Sequence, residues 1–250
     1  MGQARVIGLG AAGLAAFLAL WEAVVASGAV PPALLPAPSQ IPQAFWREIA
    51  SGFWLSSVRS SLGHYLIGLF VGALLGVGLG VVTGLSWRIE ELLAWVVRLL
   101  RPIPGLAWVP FAIIWFGVST AAAVFIVAIG VFWIAYFATL AAVRAVDRDL
   151  LELAEAFGYR SSLSKLVKIV FPAAAPGILA GLRTALGQAW MAVVAAEIFG
   201  VAGLGQRMMQ ASSLLATDIV VVYMITMAGL YGIIDTVFVI IQGRILAWKA

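Results

Sequence analysis

Residues 61–85 read SLGHYLIGLFVGALLGVGLGVVTGL, with no carboxylate, lysine or arginine in the run. About 20 apolar residues in a helix cross the ~30 Å hydrocarbon core of a bilayer, so this run is long enough to span. It shows no strand-like alternation of apolar and polar residues, which argues for a helix over a barrel strand. Gly68, Gly72, Gly76, Gly80 and Gly84 recur at every fourth position. Such a row makes a shallow ridge along which another helix backbone can approach closely. It suits tight packing, or a sliding surface for rigid-body rocking. Neither use makes the glycines ligands.

Working outward, five further apolar runs complete a reading of six spans: about 6–28, 61–85, 102–118, 120–143, 176–199 and 219–241. The third has an earlier start open to it, as an interfacial helix from Ile89. The composition agrees: 64% of the 250 residues are apolar, 10% are charged, and the mean hydropathy is +1.09. Soluble domains sit near half apolar and a quarter charged. A water-soluble globule and a disordered chain are both excluded. The first span also resembles a secretory signal, but its run of about 20 exceeds the usual apolar core of ~7–15 residues. We read it as an anchor.

Lys and Arg set the orientation. With the N-terminus inside, Arg5, Arg88, Arg144, Arg148, Arg160, Lys165, Lys168, Arg244 and Lys249 fall on the inner side. Only Arg47, Arg59 and Arg207 fall outside, and Arg98, Arg101 and Arg183 lie at or within span edges. Both termini are therefore expected in the cytoplasm. The net charge of +4 is scattered between apolar runs, unlike the clustered basic face of a nucleic-acid binder. With no cysteine and a single histidine, His64, thiolate chemistry and His-pair zinc sites are excluded.

We expect one unit, 1–250, with an outer interfacial segment at 30–60 and an inner loop at 144–175. The outer segment opens on Pro31, Pro32, Pro36, Pro38 and Pro42, which enforce an extended entry. Phe45, Trp46, Ile49, Phe53 and Trp54 then follow at near-helical spacing, as in a helix lying on the interface.

The inner loop holds Asp147-Arg-Asp-Leu-Leu-Glu-Leu-Ala-Glu-Ala-Phe-Gly158. Asp149 is placed to cap a helix, with Glu152 three residues on as in a capping box. Gly158 supplies a left-handed stop. Leu150, Leu153, Ala154 and Phe157 form an apolar stripe between them. A second amphipathic piece, 162–170, is expected to stop at Pro172. This hairpin either lies against the membrane and bundle or docks in a groove of a soluble partner. Periodicity alone leaves both open.

The stretch Glu152-Leu-Ala-Glu-Ala-Phe-Gly158, followed by Phe171-Pro172 and Pro176-Gly-Ile-Leu-Ala-Gly-Leu-Arg183, resembles the EAA loop and following helix of bacterial ABC-importer permeases. The nitrate/sulfonate/taurine branch is the nearest. Leu34-Leu-Pro-Ala-Pro-Ser39, Leu100-Arg-Pro-Ile-Pro104, Trp115-Phe-Gly117 and Ala195 to Glu197 extend the likeness over the whole chain. The resemblance implies an all-α type I importer fold of six transmembrane helices in the bacterial inner membrane. It implies an ATPase subunit dimer carrying ATP and Mg, a second permease copy, and a soluble or lipid-anchored binding protein, with membrane lipid around the bundle. No cofactor is expected on this chain. The implied coupling residues are Asp149, Leu150, Glu152, Leu153, Ala154, Phe157 and Gly158, with Ala154 and Gly158 at close approach. The implied cargo is a small organic anion, sulfonate-, taurine- or nitrate-like, or aromatic. Three departures stand out. The usual Glu-Ala-Ala reads Glu152-Leu153-Ala154, the step from Gly158 to Pro172 is one residue longer, and Ile134 and Ala138 replace a Pro and an Asn of relatives.

Ionisable and amide groups inside spans are costly and default to functional candidates. Gln188, about 18 Å past Pro176, is either a pathway residue or a helix–helix hydrogen bonder. Arg183 either snorkels to the inner interface or contacts substrate, and Asp235 is expected to cap or pair near the inner surface. Glu197 is expected to pair with Arg207 or line an entrance, whereas Glu22, His64 and Asp218 are expected in solvent. Trp108, Trp115, Phe132, Trp133 and Tyr136 either wall a cavity or form belt and packing. Of these, Trp108, Trp115, Tyr136, Gln188 and Glu197 are the candidate substrate pathway.

No Gly-x4-Gly-Lys-Ser/Thr phosphate loop is present, so ATP hydrolysis must come from another chain. A stand-alone ion-coupled transporter or channel is the rival reading, and it calls for ionisable groups clustered at mid-bilayer. A membrane enzyme needs a nucleophile–base pair or metal carboxylates at one depth, and the sequence offers neither.

Overall fold

The computed structural model describes residues 3–31, 33–159 and 161–249. Pro32 of the extended entry and Arg160 of the inner charge count lie outside them. Among the described residues the chain is helical, with no strand. Five helices are long and apolar enough to cross a membrane, and six if a bent pair is counted as one span. These are α1 (Gln3–Ala26), α3 (Phe53–Leu85), α6 (Thr120–Arg144), α9 (Phe171–Ile198) and α11 (Thr217–Ile245), with α4 (Trp87–Leu100) and α5 (Val109–Phe116) as the bent pair. Shorter helices join them: α2 (Ile41–Ala50), α7 (Arg148–Ala156), α8 (Ser162–Lys165) and α10 (Leu204–Ser213).

Two boundaries differ from expectation, each for a local reason, and the third span is broken where Pro102 and Pro104 predict a break. Gly52, at φ +78°, ends α2, so Phe53 and Trp54 open α3 rather than continuing the interfacial helix. The second span therefore starts eight residues earlier than hydropathy places it. The third span is not straight. Pro102 and Pro104 lack N–H donors, so the chain breaks after α4 and re-forms as a 3₁₀ turn at Gly105–Trp108 leading into α5. The two arms meet at 83°. Pro172 does not stop the inner helix. A π-helical turn at Leu166–Val170 shifts the hydrogen-bond register just before it, and Pro172 then falls in the first turn of α9, where its missing donor is tolerated. An apolar helical segment runs on from Leu163 to Ile198.

The core is the seam between α3 and α6. A Cβ added at Gly72 would sit 2.4 Å from the Ala128 carbonyl oxygen, and Gly68, Gly76, Gly80 and Gly84 face α6 as closely. The glycine row is therefore a packing device. On the other side of α6, a Cβ at Gly181 of α9 would lie 2.0 Å from Ala138 Cβ. Position 138 is thus a helix contact in this chain. By contrast, none of the first span's apolar window is buried against the rest of the chain.

Ion pairs stitch the ends. At the α2 end, Glu48 is 3% exposed and accepts from Arg207 Nε at 3.0 Å, Arg207 Nη2 at 2.7 Å and the Tyr223 hydroxyl at 2.8 Å. Arg207 also lies 4.3 Å from the Phe53 ring centroid. Burial pushes the Glu48 carboxyl upward, but the hydrogen bonds from Arg207 and Tyr223 and the charges of Arg207 and Arg47 outweigh it and hold it below its ordinary value of 4.5. A lowered carboxyl stabilises the fold fully above pH 4.5, and that contribution is lost as pH falls through the lower folded value. We expect Glu48→Gln to cost about 1–3 kcal/mol at neutral pH, as for a lost hydrogen bond to a charged group. Melting curves of the purified protein should show the gap to wild type closing in acid below pH 4.5. A gap that stays constant would mean that the carboxylate charge contributes nothing.

Candidate functional site

The hairpin opposite the α2 end begins at α7, whose N-cap is Asp147 and not Asp149. Asp147 Oδ1 accepts from the Asp149 N–H at 3.0 Å, which leaves Asp149 inside the first turn. The capping box with Glu152 is thus absent. The physical cause is the extended backbone of Asp147 (φ −61°, ψ 134°), the geometry an N-cap requires. The far end is as read. Gly158 has φ +91°, its N–H donates to the Glu155 carbonyl at 3.0 Å, and the Tyr159 N–H donates to the Ala154 carbonyl at 2.9 Å. That pair of bonds is a Schellman stop.

This stop aims the stripe. Leu151 packs towards Val143 and Val170, and Ala154 is only 4% exposed, so both face the bundle. Ala154 is therefore not a close-approach position for an outside partner. Leu150, Leu153 and Phe157 point away, Leu153 at 54% and Phe157 at 75% exposure, while Asp149 and Glu152 flank them in solvent. Leu163 and Val167 add exposed apolar surface on the second arm. A Cβ at Gly158 would meet nothing within 4 Å, so the surface beside Phe157 is open. Lys165 pairs with Glu155 and ties the two arms together.

The candidate pathway residues do not converge. Trp108 and Trp115 join one aromatic cluster through Phe125, at 6.4 and 5.7 Å between ring centroids. Tyr136 belongs to a second cluster, stacked on Phe132 and edge-on to Trp133, and is buried. Arg101 closes that cluster with its guanidinium 4.6 Å from the Phe137 ring. The indole N–H groups of Trp108 and Trp133 are buried with no acceptor among the described residues. Gln188 is exposed on α9 and Glu197 is not exposed at all. Nine residues at 100° each put these two on opposite faces of one helix.

Glu197 does not pair with Arg207, which Glu48 holds. Instead its carboxylate accepts from Ser61 Oγ at 2.6 Å and the Gly205 N–H at 2.9 Å, with His64 Nδ1 at 3.2 Å. Ser61 Oγ in turn accepts from the Leu204 N–H at 2.9 Å. His64 is likewise buried rather than solvated, because α3 starts early and sets it about 16 Å along the helix. Of the other groups expected in solvent, Glu22 accepts from the Ser39 N–H and hydroxyl at 3.0 and 2.8 Å, and Asp218 pairs with Arg47. Arg183 and Asp235 form a two-point pair at 2.9 Å each. The N-terminus of α10 is thus held by Glu197 and its middle by Glu48. Sequence reading missed Glu48, Ser61 and Tyr223 as partners. A signal for the first clamp was present in Gly203, where a Cβ would lie 2.1 Å from Glu197 Oε1.

A family profile described as "Binding-protein-dependent transport system inner membrane component" matches residues 68–248. The putative aliphatic sulfonates transport permease protein of Escherichia coli (strain K12) is 34% identical over 93% of this chain and 88% of its own length. Its counterpart in Bacillus subtilis (strain 168) is 31% identical over 94% of this chain and 85% of its own. Among solved structures, an inward-facing conformation of the MetNI methionine ABC transporter superposes with a TM-score of 0.65 at 19% identity, over 81% of this chain and 99% of that one.

Proposed function

The chain belongs to the binding-protein-dependent transport system inner membrane component family, and on that footing we propose that α7 is the handle by which an ATPase subunit drives it and that its cargo is an oxygen-rich organic anion. It is the permease subunit of an ABC importer, a multi-pass inner-membrane protein of the all-α fold expected from sequence, and not itself an enzyme. An ATPase and a substrate-binding protein work with it.

The observation that carries the coupling role is the outward stripe of Leu150, Leu153 and Phe157, held on a helix with a defined start and stop. Large apolar side chains on a short polar-flanked helix are the anchors that seat in a partner's groove. Asp149 and Glu152 form the acidic rim of that contact, Gly158 keeps it open, and Ala154 fixes α7 to the bundle. The positive loops support a cytoplasmic position for this hairpin and both termini. ATP and Mg are bound by the partner ATPase dimer. A second copy of this chain completes the path, since Gln188 and Met191 leave an exposed face of α9 with no covering helix.

Three features support an anionic cargo. The unpaired indole donors of Trp108 and Trp133 suit sulfonate or carboxylate oxygens, because buried donors without acceptors call for a ligand or water to satisfy them. Arg101 supplies positive charge beside the second cluster. The sulfonate permeases named above are the relatives whose printed cargo fits this chemistry.

The test is co-expression with the ATPase subunit. We expect Leu153→Asp with Phe157→Asp to insert and fold normally, lose co-purification, and lower ATP-driven uptake at least tenfold, the effect of removing an apolar anchor of ~1.4 kcal/mol or more. Uptake that survives without the ATPase would instead favour an ion-coupled carrier.

A further inference from the structure

Between α1, α2 and α11 lies a groove of about 620 Å³ that the transport role leaves unused. Its walls are apolar, including Leu18 and Trp21 of α1, Phe45 of α2, and Ile225 and Ile233 of α11. Polar groups contribute little. Thr226 accepts from Trp54 Nε1 at 3.0 Å and donates to the Val222 carbonyl at 2.9 Å, so its hydroxyl is satisfied. The exception is Trp21 Nε1, a buried donor with no acceptor among the described residues.

Dimensions decide the occupant. On α11 the groove runs from Val222 to Ile233, roughly 17 Å at 1.5 Å per residue, starting about 8 Å below the helix end at Thr217. That is close to the ~15 Å depth of one leaflet's hydrocarbon. A second copy's span, which crosses ~30 Å of hydrocarbon, would be seated over only about half its length, and a water-soluble solute finds no polar wall. We propose that the groove holds one acyl chain of a membrane phospholipid, whose ester carbonyl accepts from Trp21 Nε1–H. The lipid then bridges α1, which buries no apolar window of its own, to the rest of the bundle.

The full-length protein in phosphatidylcholine vesicles doped with a diazirine-acyl phosphatidylcholine tests this by photolabelling and peptide mapping. Labelling of Leu18, Phe45 and Ile225 is expected several-fold above that of Leu74 and Ile114, which are exposed elsewhere. Gly229 lines the groove and a Cβ there meets nothing within 4 Å, so Gly229→Phe should fold, fill the space and bring groove labelling down to that background. Gly243→Phe, also in open space but away from the groove, should leave labelling unchanged. Trp21→Phe keeps an aromatic ring of smaller volume, loses the donor, and should lower labelling by an intermediate amount. Uniform labelling, insensitivity to Gly229→Phe, or cross-links from groove residues to a second copy would each overturn the proposal. None of these outcomes depends on which solute is carried.

Discussion

Gly158→Arg is expected to abolish ATP-driven uptake while leaving membrane insertion and the helical bundle intact. Two effects add at this position. The backbone sits at φ +91°, where a residue with a Cβ pays roughly 1–2 kcal/mol. The side chain then projects into the open surface beside Phe157, where the partner groove must close. Buried contacts of that kind are worth about 2–4 kcal/mol, enough for a thirtyfold or greater loss. Gly158→Asn separates the two effects, because Asn tolerates the left-handed region. If the open surface is what matters, Asn should also impair uptake, though less than Arg. Uptake assays in vesicles with the ATPase and binding protein supply the measurement. Full transport by the Arg variant would remove α7 from the coupling role.

Gly72→Leu should damage the fold itself. The added Cβ meets the Ala128 carbonyl oxygen at 2.4 Å and Val131 Cβ at 2.8 Å, and a backbone atom cannot rotate away as a side-chain tip can. Overpacking a tight interior costs about 1–3 kcal/mol, and a backbone collision puts this variant at or above the top of that range. Gly78→Leu on the same helix is the matched control, since a Cβ there meets nothing within 4 Å. We expect a large drop in melting temperature and in monodisperse yield for the first variant, and little change for the second. Equal behaviour of the two would mean that α3 and α6 do not pack along this seam.

The misread groups share a cause. Hydropathy cannot register a span boundary when the flanking residues are polar but helical. Residues 53–60 therefore read as part of the outer interfacial segment and His64 as solvated, although both belong to α3. In 102–118 the two prolines announce the break in the sequence, but no hydropathy profile contains its bend angle. A Glu197–Arg207 pair, one of the two roles open to Glu197, rests only on proximity in sequence. Each charge found its partner elsewhere, Glu197 at Ser61 and Arg207 at Glu48, more than a hundred residues away in both cases.

Some properties follow from the order of residues alone. Apolar runs of 20 or more must be helices in lipid, because a backbone with no water to bond must satisfy itself. The spacing of Leu150, Leu153 and Phe157 had to make a stripe, and Gly158 had to end it, since both depend on residues within a few positions of one another. Which side of that stripe faces outward, which carboxylates are buried, and which glycines touch a neighbour are different questions. Their answers depend on how helices cross, and a crossing brings together groups from opposite ends of the chain. Burial then selects among possible partners, because an unpaired charge in a low-dielectric interior costs several kcal/mol and a paired one far less.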